Sequence, residues 1–251
     1  MNTFGRRLVV TGLLLALPGV SSAQSVDEIV EKHLAAIGGR AALAKVTSRI
    51  TSGRITVTTP VGDLSGPVEV LNRAPNRVRT FLTLDLTAFG GDKMVYDERF
   101  DGSAGYLINT VEGNRELTGN QLHNLRNDTF PTPLLDYKAS GVTLELAGRE
   151  KVGDRDAFVL TLTPKLGPVW RRYIDAESFL EIRQVVTTED PNAGAFELTI
   201  DLLDFREVDG IKLPFQIKAA SAVQNFTVIV AKVNHNQAID AALFSRPPDA
   251  K

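Results

Sequence analysis

Residues 195–220 read AFELTIDLLDFREVDGIKLPFQIKAA, and the alternation inside this stretch decides the fold. Leu198, Ile200 and Leu202 fall two apart on one face, with Glu197, Thr199, Asp201 and Leu203 on the other, as in a strand with one side buried. Asp209-Gly210 is the residue pair favoured in tight hairpin turns, and Leu213, Phe215 and Ile217 resume the same period. Two strands alone cannot hide an apolar side from water, so the flanking sequence must extend the sheet. Upstream, VWRRYIDAES (169–178) and FLEIRQVVTTED (179–190) have strand character, as does AVQNFTVIVAKVNHN (222–236) downstream. A short amphipathic tail, AIDAALF (238–244), closes the series.

The first half of the chain repeats the pattern. Residues 49–58, 67–72, 77–86, 94–96 and 104–109 are strand-like and separated by Pro, Gly, Asn and Asp clusters, and strands return over 142–146 and 149–163. Helices frame them. Ser25-Val-Asp-Glu28 spells a capping box, in which a hydroxyl and a carboxylate each satisfy a backbone N–H, ahead of an apolar face at Val26, Ile29, Val30, His33, Leu34 and Ile37. Gly38-Gly39 ends that helix, and residues 40–46 suggest a second. Thr118-Gly-Asn-Gln121 is another candidate capping box, and Pro133 suits the first turn of a segment holding Leu134, Leu135 and Tyr137. This helical insert needs somewhere to pack, and the mouth or hollow of the sheet is its natural place. The fold class is therefore mainly β with a few helices, in a single curved antiparallel sheet.

Composition narrows the function. The chain has 251 residues, 43% hydrophobic and 23% charged, with a formal charge of -2 and its Lys and Arg spread along the length. That distribution lacks the basic patch of a nucleic-acid binder. The absence of cysteine excludes disulfides, thiolate metal sites and a lipidated N-terminal cysteine. Arg6-Arg7, the apolar run 8–17, the Pro18-Gly19 break and the small residues Ser21-Ser22-Ala23 compose a secretory signal peptide cleaved after Ala23. The arginine pair leaves the general and the twin-arginine export routes both open. The expected division is a signal peptide at 1–23 and one domain at 24–251, in the periplasm.

Several stretches together resemble the LolA/LolB-like proteins, the outer-membrane lipoprotein-sorting proteins and their relatives. They are the 26–30 helix VDEIV, the 34–41 bend LAAIGGRA, the YIDAE strand end at 173–177 with LEIRQ at 180–184, the FREVDGIKLP hairpin at 205–214 and the ending at 234–244. These cover most of the chain after Ala23 and are turn and pattern signatures. The resemblance implies an incomplete β-barrel lidded by helices around an apolar cavity that takes acyl chains. No catalytic, cofactor or metal residue is carried over from the family.

Leu82, Leu84, Leu160, Leu162, Leu198, Ile200 and Phe215 are the candidate lining of such a cavity. The same residues would also serve as a filled core. Acyl chains bind wherever apolar area leaves water, at roughly 25 cal/mol per Å², so no catalytic group is needed. His33, His123 and His235 are far apart and lack metal-ligand spacing, and no nucleophile elbow or phosphate loop is present. Asp97-Glu98, Glu189-Asp190 and the Asp201/Asp204 pair suit a solvated face, and Trp170 beside Arg171 and Arg172 suits either a head-group contact or a sheet edge. The expected protein is a periplasmic carrier for a lipid or an acylated protein, with no cofactor and no enzymatic role. Its alternative is an envelope sensor or adaptor that binds an inner- or outer-membrane partner protein. An enzyme with a nonstandard site is a third.

Overall fold

The computed structural model describes residues 24–60, 62–87, 90–190, 192–223 and 225–247. The expected signal peptide, at 1–23, lies outside these. Thirteen antiparallel strands form one open sheet: β1 (Ser48–Thr59), β2 (Gly62–Arg73), β3 (Arg77–Asp85), β4 (Lys93–Phe100), β5 (Gly105–Asn109), β6 (Arg115–Glu116), β7 (Thr143–Val152), β8 (Arg155–Thr163), β9 (Trp170–Asp175), β10 (Glu181–Asp190), β11 (Gly194–Val208), β12 (Ile211–Ala220) and β13 (Asn225–His235). Their spatial order is β6-β5-β4-β3-β2-β1-β13-β12-β11-β10-β9-β8-β7. Every pairing but β1 with β13 joins neighbours in sequence, and that one pairing unites the two halves of the chain. Helices α1 (Val26–Ala36), α2 (Arg40–Leu43), α3 (Gly119–Asn127) and α4 (Tyr137–Ser140) complete the fold with a 3-10 turn at Ala241–Phe244.

Register fixes which side chains share a face. The row Leu162, Trp170, Val186, Leu198 and the row Leu160, Arg172, Gln184, Ile200, Ala219, Phe226 lie on one side of the sheet. The helices cover this inner side, packing Ile29, Val30, Leu34 and Leu43 against Phe158, Leu160, Leu162 and Ile174. The outer side of β2 and β12 carries Asp63, Ser65, Glu69, Lys212, Gln216 and Lys218. Burial is one-sided over β2 and β12, as the alternation around Ile200 requires, whereas over β8 to β10 the outer side also buries a small cluster of Ala157, Val159, Tyr173, Ile182 and Val185.

Two local features shape the sheet and its lid. Gly66 faces inward, and a Cβ there would lie 1.6 Å from the Thr83 carbonyl oxygen, so glycine lets β3 fold over β2. At the helix bend, Gly38 has φ +127 and a Cβ would sit 2.4 Å from the Gly210 carbonyl oxygen. The Lys212 N–H donates to the Ile37 carbonyl at 3.1 Å beside it. The bend at 34–41 and the hairpin at 205–214 therefore dock on one another, with Asp209 and Gly210 both at positive φ in the turn. The sheet's two edges are blunted, β6 by its two-residue length and β7 by a register shift at Leu146/Gly148 and by charged residues.

The helices depart from the sequence pattern in detail. Ser25 and Glu28 make the capping box as expected. Thr118 is the N-cap of α3 but its side chain makes no cap hydrogen bond; instead the Asn120 N–H donates to Glu189 at 2.9 Å. A tertiary carboxylate has replaced the local one. The segment after Pro133 becomes helical only at Tyr137, and α2 stops at Leu43.

On the outer face Asp97 is 3% exposed and bridges Arg79, at 2.7 Å, and Arg99, at 2.7 Å. Burial alone would raise its carboxyl, but hydrogen bonds from the two guanidinium groups outweigh that and hold it below the ordinary value. The contribution is complete above the ordinary carboxylate pKa, about 3.9, and disappears as pH falls through the lower folded value. Asp97→Asn is expected to lose about 2–3 kcal/mol in denaturant titration at neutral pH, with the gap to the parent closing in acid. Gly66→Ala is expected to lose about 1–3 kcal/mol by the same measurement, because only backbone movement makes room.

Candidate functional site

The inner face is apolar across most of the sheet, yet its covering is uneven. Over β7 to β11 the helices and the 128–136 segment form a closed core in which Leu134 and Leu160 are fully buried. Over β1 to β4 the apolar cluster of Ile55, Val68, Leu82 and Leu84 is built from strand residues alone among the described residues. Around it Val57, Leu64, Met94, Ile200, Ile217 and Val228 stay only half-buried although they point inward.

All seven candidate lining residues lie on this inner face. They do not form one group. Leu82 and Leu84 sit in the strand cluster, Leu160 and Leu162 in the helix-covered core with Leu198 against it. Ile200 lies between, half-buried. Phe215 is buried near the rim, with the Arg206 guanidinium 4.8 Å from its ring centre.

Polar groups also face inward. Arg49 lies opposite His235 and next to the covering segment, its guanidinium 5.0 Å from the centre of the Phe130 ring. No ion pair or hydrogen bond engages it among the described residues. Burial pushes its guanidinium down to about 10, against the opposing charge of Asp128. Glu98 on β4 accepts a 3.0 Å hydrogen bond from the Tyr96 hydroxyl. Burial pushes the Glu98 carboxyl up, and the Tyr96 hydroxyl well up. Arg49, Tyr96 and Glu98 are surrounded by protein and still keep accessible surface. Groups that line a hollow have this property, and groups that fill a core do not.

Deeper under the helices, Arg172 is 3% exposed and paired with Glu181 at 3.0 Å and Asp128 at 3.2 Å, while its Nε has no partner. Trp170 is buried rather than at an edge, its Nε1 donating to the Asn124 side chain at 3.1 Å. His33 is 2% exposed and its Nδ1 donates to the Phe179 carbonyl at 2.9 Å. Burial pushes the imidazole down, so His33 is a neutral packing residue, as its place on the apolar helix face suggests.

Sequence patterning missed Arg49 and Glu98 as inward groups. The alternation Met94, Tyr96, Glu98, Phe100 contained the signal, but the strand was drawn to end at Tyr96. Glu98 is thus a correction to the expectation that the paired carboxylates face solvent, as is buried Asp97.

Solved structures share this overall fold. A LolA superfamily protein from Nitrosomonas europaea superposes with a TM-score of 0.57 at 12% identity, covering 89% of this chain and 99% of its own. The fold is LolA-like. A DUF1329 family protein from Desulfovibrio piger gives a TM-score of 0.55 at 10% identity, covering 89% of this chain and 98% of its own. A domain assigned to outer membrane lipoprotein sorting in Vibrio parahaemolyticus gives 0.52 at 9% identity, covering 86% and 94%. No family model and no curated protein matches the sequence. Within the LolA-like fold, the 34–41 bend and the 205–214 hairpin acquire a shared purpose, since Gly38 against Gly210 seats the helix pair on the sheet.

Arg49 gives a test of what the hollow is for. It is charged at neutral pH in folded and unfolded chain alike, so its lowered basicity is a standing cost to stability, relieved only as pH rises through about 10. Contact with Phe130 returns about 0.5–2 kcal/mol. Arg49→Met is therefore expected to leave the melting temperature unchanged or raise it. A fall of more than about 4 °C, roughly 1 kcal/mol for a chain of this size, would make Arg49 a structural latch instead.

Proposed function

We propose that the protein is an exported carrier or binding protein that holds acyl chains, of a lipid or of an acylated protein, against the inner face of its sheet. The observation that carries this is the set of inward apolar side chains, from Val57 to Val228, left half-buried where a folded protein would ordinarily complete its core. Support comes from the LolA-like fold and from the lipoprotein-sorting assignment of one structural neighbour. The pattern at residues 6–23 supports the periplasm as its location. Leu82, Leu84, Leu160, Leu162, Leu198, Ile200 and Phe215 are the proposed lining.

The energetics are adequate. Burying a chain of twelve to sixteen carbons yields on the order of ten kcal/mol before losses. The cleft beside α3 holds about 210 Å³, under the roughly 300 Å³ at which small-molecule sites begin. The proposed cargo therefore enters by displacing part of the covering.

Alternation of side chains supplies its own control. Ile200 points inward and Thr199, its neighbour, outward. Ile200→Glu is expected to weaken binding of a fluorescent fatty acid at least tenfold, and Thr199→Glu to leave it within twofold, both variants keeping the parent's circular dichroism. Protein purified from cells is expected to yield acyl lipid to mass spectrometry. A well-folded protein that comes out empty, ignores the probe and returns a stoichiometric membrane partner would replace the carrier with an adaptor.

A further inference from the structure

The cleft of about 210 Å³ lies where the last turn of α3, the 129–133 segment, the start of β7 and the β8–β9 connection meet. Its lining carries three side chains of basic type, His123, Arg126 and Lys165, and no carboxylate. Among the described residues, exposed Lys165 is engaged in no ion pair or hydrogen bond. Arg126 spends one N–H on the Ser103 carbonyl at 2.7 Å and has no acidic partner among those residues. Asp128 is close in sequence, but its carboxylate is committed to Arg172. The C-terminal end of α3 contributes the partial negative charge of its carbonyls, of order half a unit, and one of these, that of Arg126, is already capped by Asn76 at 2.7 Å. Two full cations outweigh that residue.

The floor of the cleft is of another kind. Pro133 and Val142 line it and also line a constriction of about 10 Å³ that reaches Leu162, Trp170 and Arg172. Those last three share the inner face. A cationic opening thus continues, through a throat closed in this structure, to the apolar surface of the sheet. At the throat stands Arg172, whose buried Nε has no hydrogen-bond partner.

We propose that this cleft seats the anionic head of a single-chain amphiphile, its charged oxygens against Lys165, Arg126 and His123, while the chain passes the throat onto the inner face. The inference rests on the acyl-carrier function and deepens it by fixing the charge of the cargo and its point of entry. A neutral or cationic head group finds no counterpart in the cleft. A free anion such as inorganic phosphate would meet the same cations but gain nothing from the throat. Leu166, 66% exposed at the cleft's edge, gives the first methylenes an apolar contact outside the throat.

The full mature chain would be titrated calorimetrically with laurate, dodecyl phosphate, dodecyl maltoside and dodecyltrimethylammonium, each below micelle formation, and with inorganic phosphate. The two anionic amphiphiles are expected to bind at least tenfold tighter than the neutral and cationic ones, and their ratio tells a carboxylate from a phosphate cargo. Lys165→Glu is expected to weaken the anionic probes about tenfold and leave dodecyl maltoside unchanged; its exposed, unpartnered position keeps folding out of the comparison. Across octyl, decyl and dodecyl phosphate, affinity is expected to climb roughly threefold per methylene. Equal binding of all head groups with no effect of Lys165→Glu would overturn the cleft and leave the acyl-carrier function standing. Inorganic phosphate matching dodecyl phosphate would reduce the cleft to a free-anion site and overturn the proposal. Failure of every amphiphile to bind would overturn both.

Discussion

An antiparallel sheet with one apolar side must hide that side, and a thirteen-stranded sheet that does not close on itself cannot do so alone. This constraint governs everything else in the molecule. The helices answer it over β7 to β11, where Ile29, Val30 and Leu34 are fully buried against strand residues. Over β1 to β4 the sheet answers it by bending, with Gly66 admitting the backbone of β3 at close range, so that the apolar side chains of the strands pack against one another. The two solutions meet at the β1–β13 pairing, the single join between the halves of the chain. An uneven covering is the direct outcome of spending four short helices on so wide a surface.

The polar groups on the inner face follow the same division. Where the covering is complete they are paired: Arg172 with Glu181 and Asp128, His33 with a backbone carbonyl, Trp170 with Asn124. Where it is thin, Arg49 packs on an aromatic ring and Glu98 accepts from a tyrosine hydroxyl, with no ion pair to either among the described residues. A group buried in a solid core without a partner costs several kcal/mol, and a fold selected only for stability would have replaced both by apolar residues. Accessible surface at these positions means that water reaches them and lowers that cost. The half-buried polar groups and the half-buried apolar ones thus share the thinly covered part of the inner face.

Much of the sheet was legible because β structure writes itself in a period of two. The 195–220 hairpin, its Asp209-Gly210 turn and the shared face of Leu198 and Ile200 required only local rules. Ser25 and Glu28, three residues apart, were equally legible. The losses occurred where a distant residue took over a local role. Thr118 opens α3 without capping it because Glu189, 69 positions beyond Asn120, supplies the acceptor. Asp97 is buried because Arg79 and Arg99 converge on it across a strand pair. The cleft joins segments from three parts of the chain, and no periodicity predicts such a meeting. All seven candidate lining residues share a face because alternation reports facing; their separation into groups depends on where the helices lie, which alternation does not report.

The parts of the covering differ in how firmly they are held. The α1–α2 pair is held by three fully buried aliphatic side chains, a capping box and the Gly38–Gly210 seat. Lifting it would expose about 1.5–3 kcal/mol per aliphatic side chain and break the backbone bond from Lys212 to Ile37. The 128–136 segment offers less resistance. It inserts Phe130 and Leu134, and its ties include the half-exposed Asp128 carboxylate on Arg172 at 3.2 Å, a Phe130 N–H to the Pro75 carbonyl, the Arg49 ring contact and an Arg40 bond to the Leu135 carbonyl. Exposing two large side chains costs about 3–6 kcal/mol, which the burial of a twelve-carbon chain exceeds. The segment that borders the cleft is therefore the more weakly held part of the covering, and α1 the more firmly held.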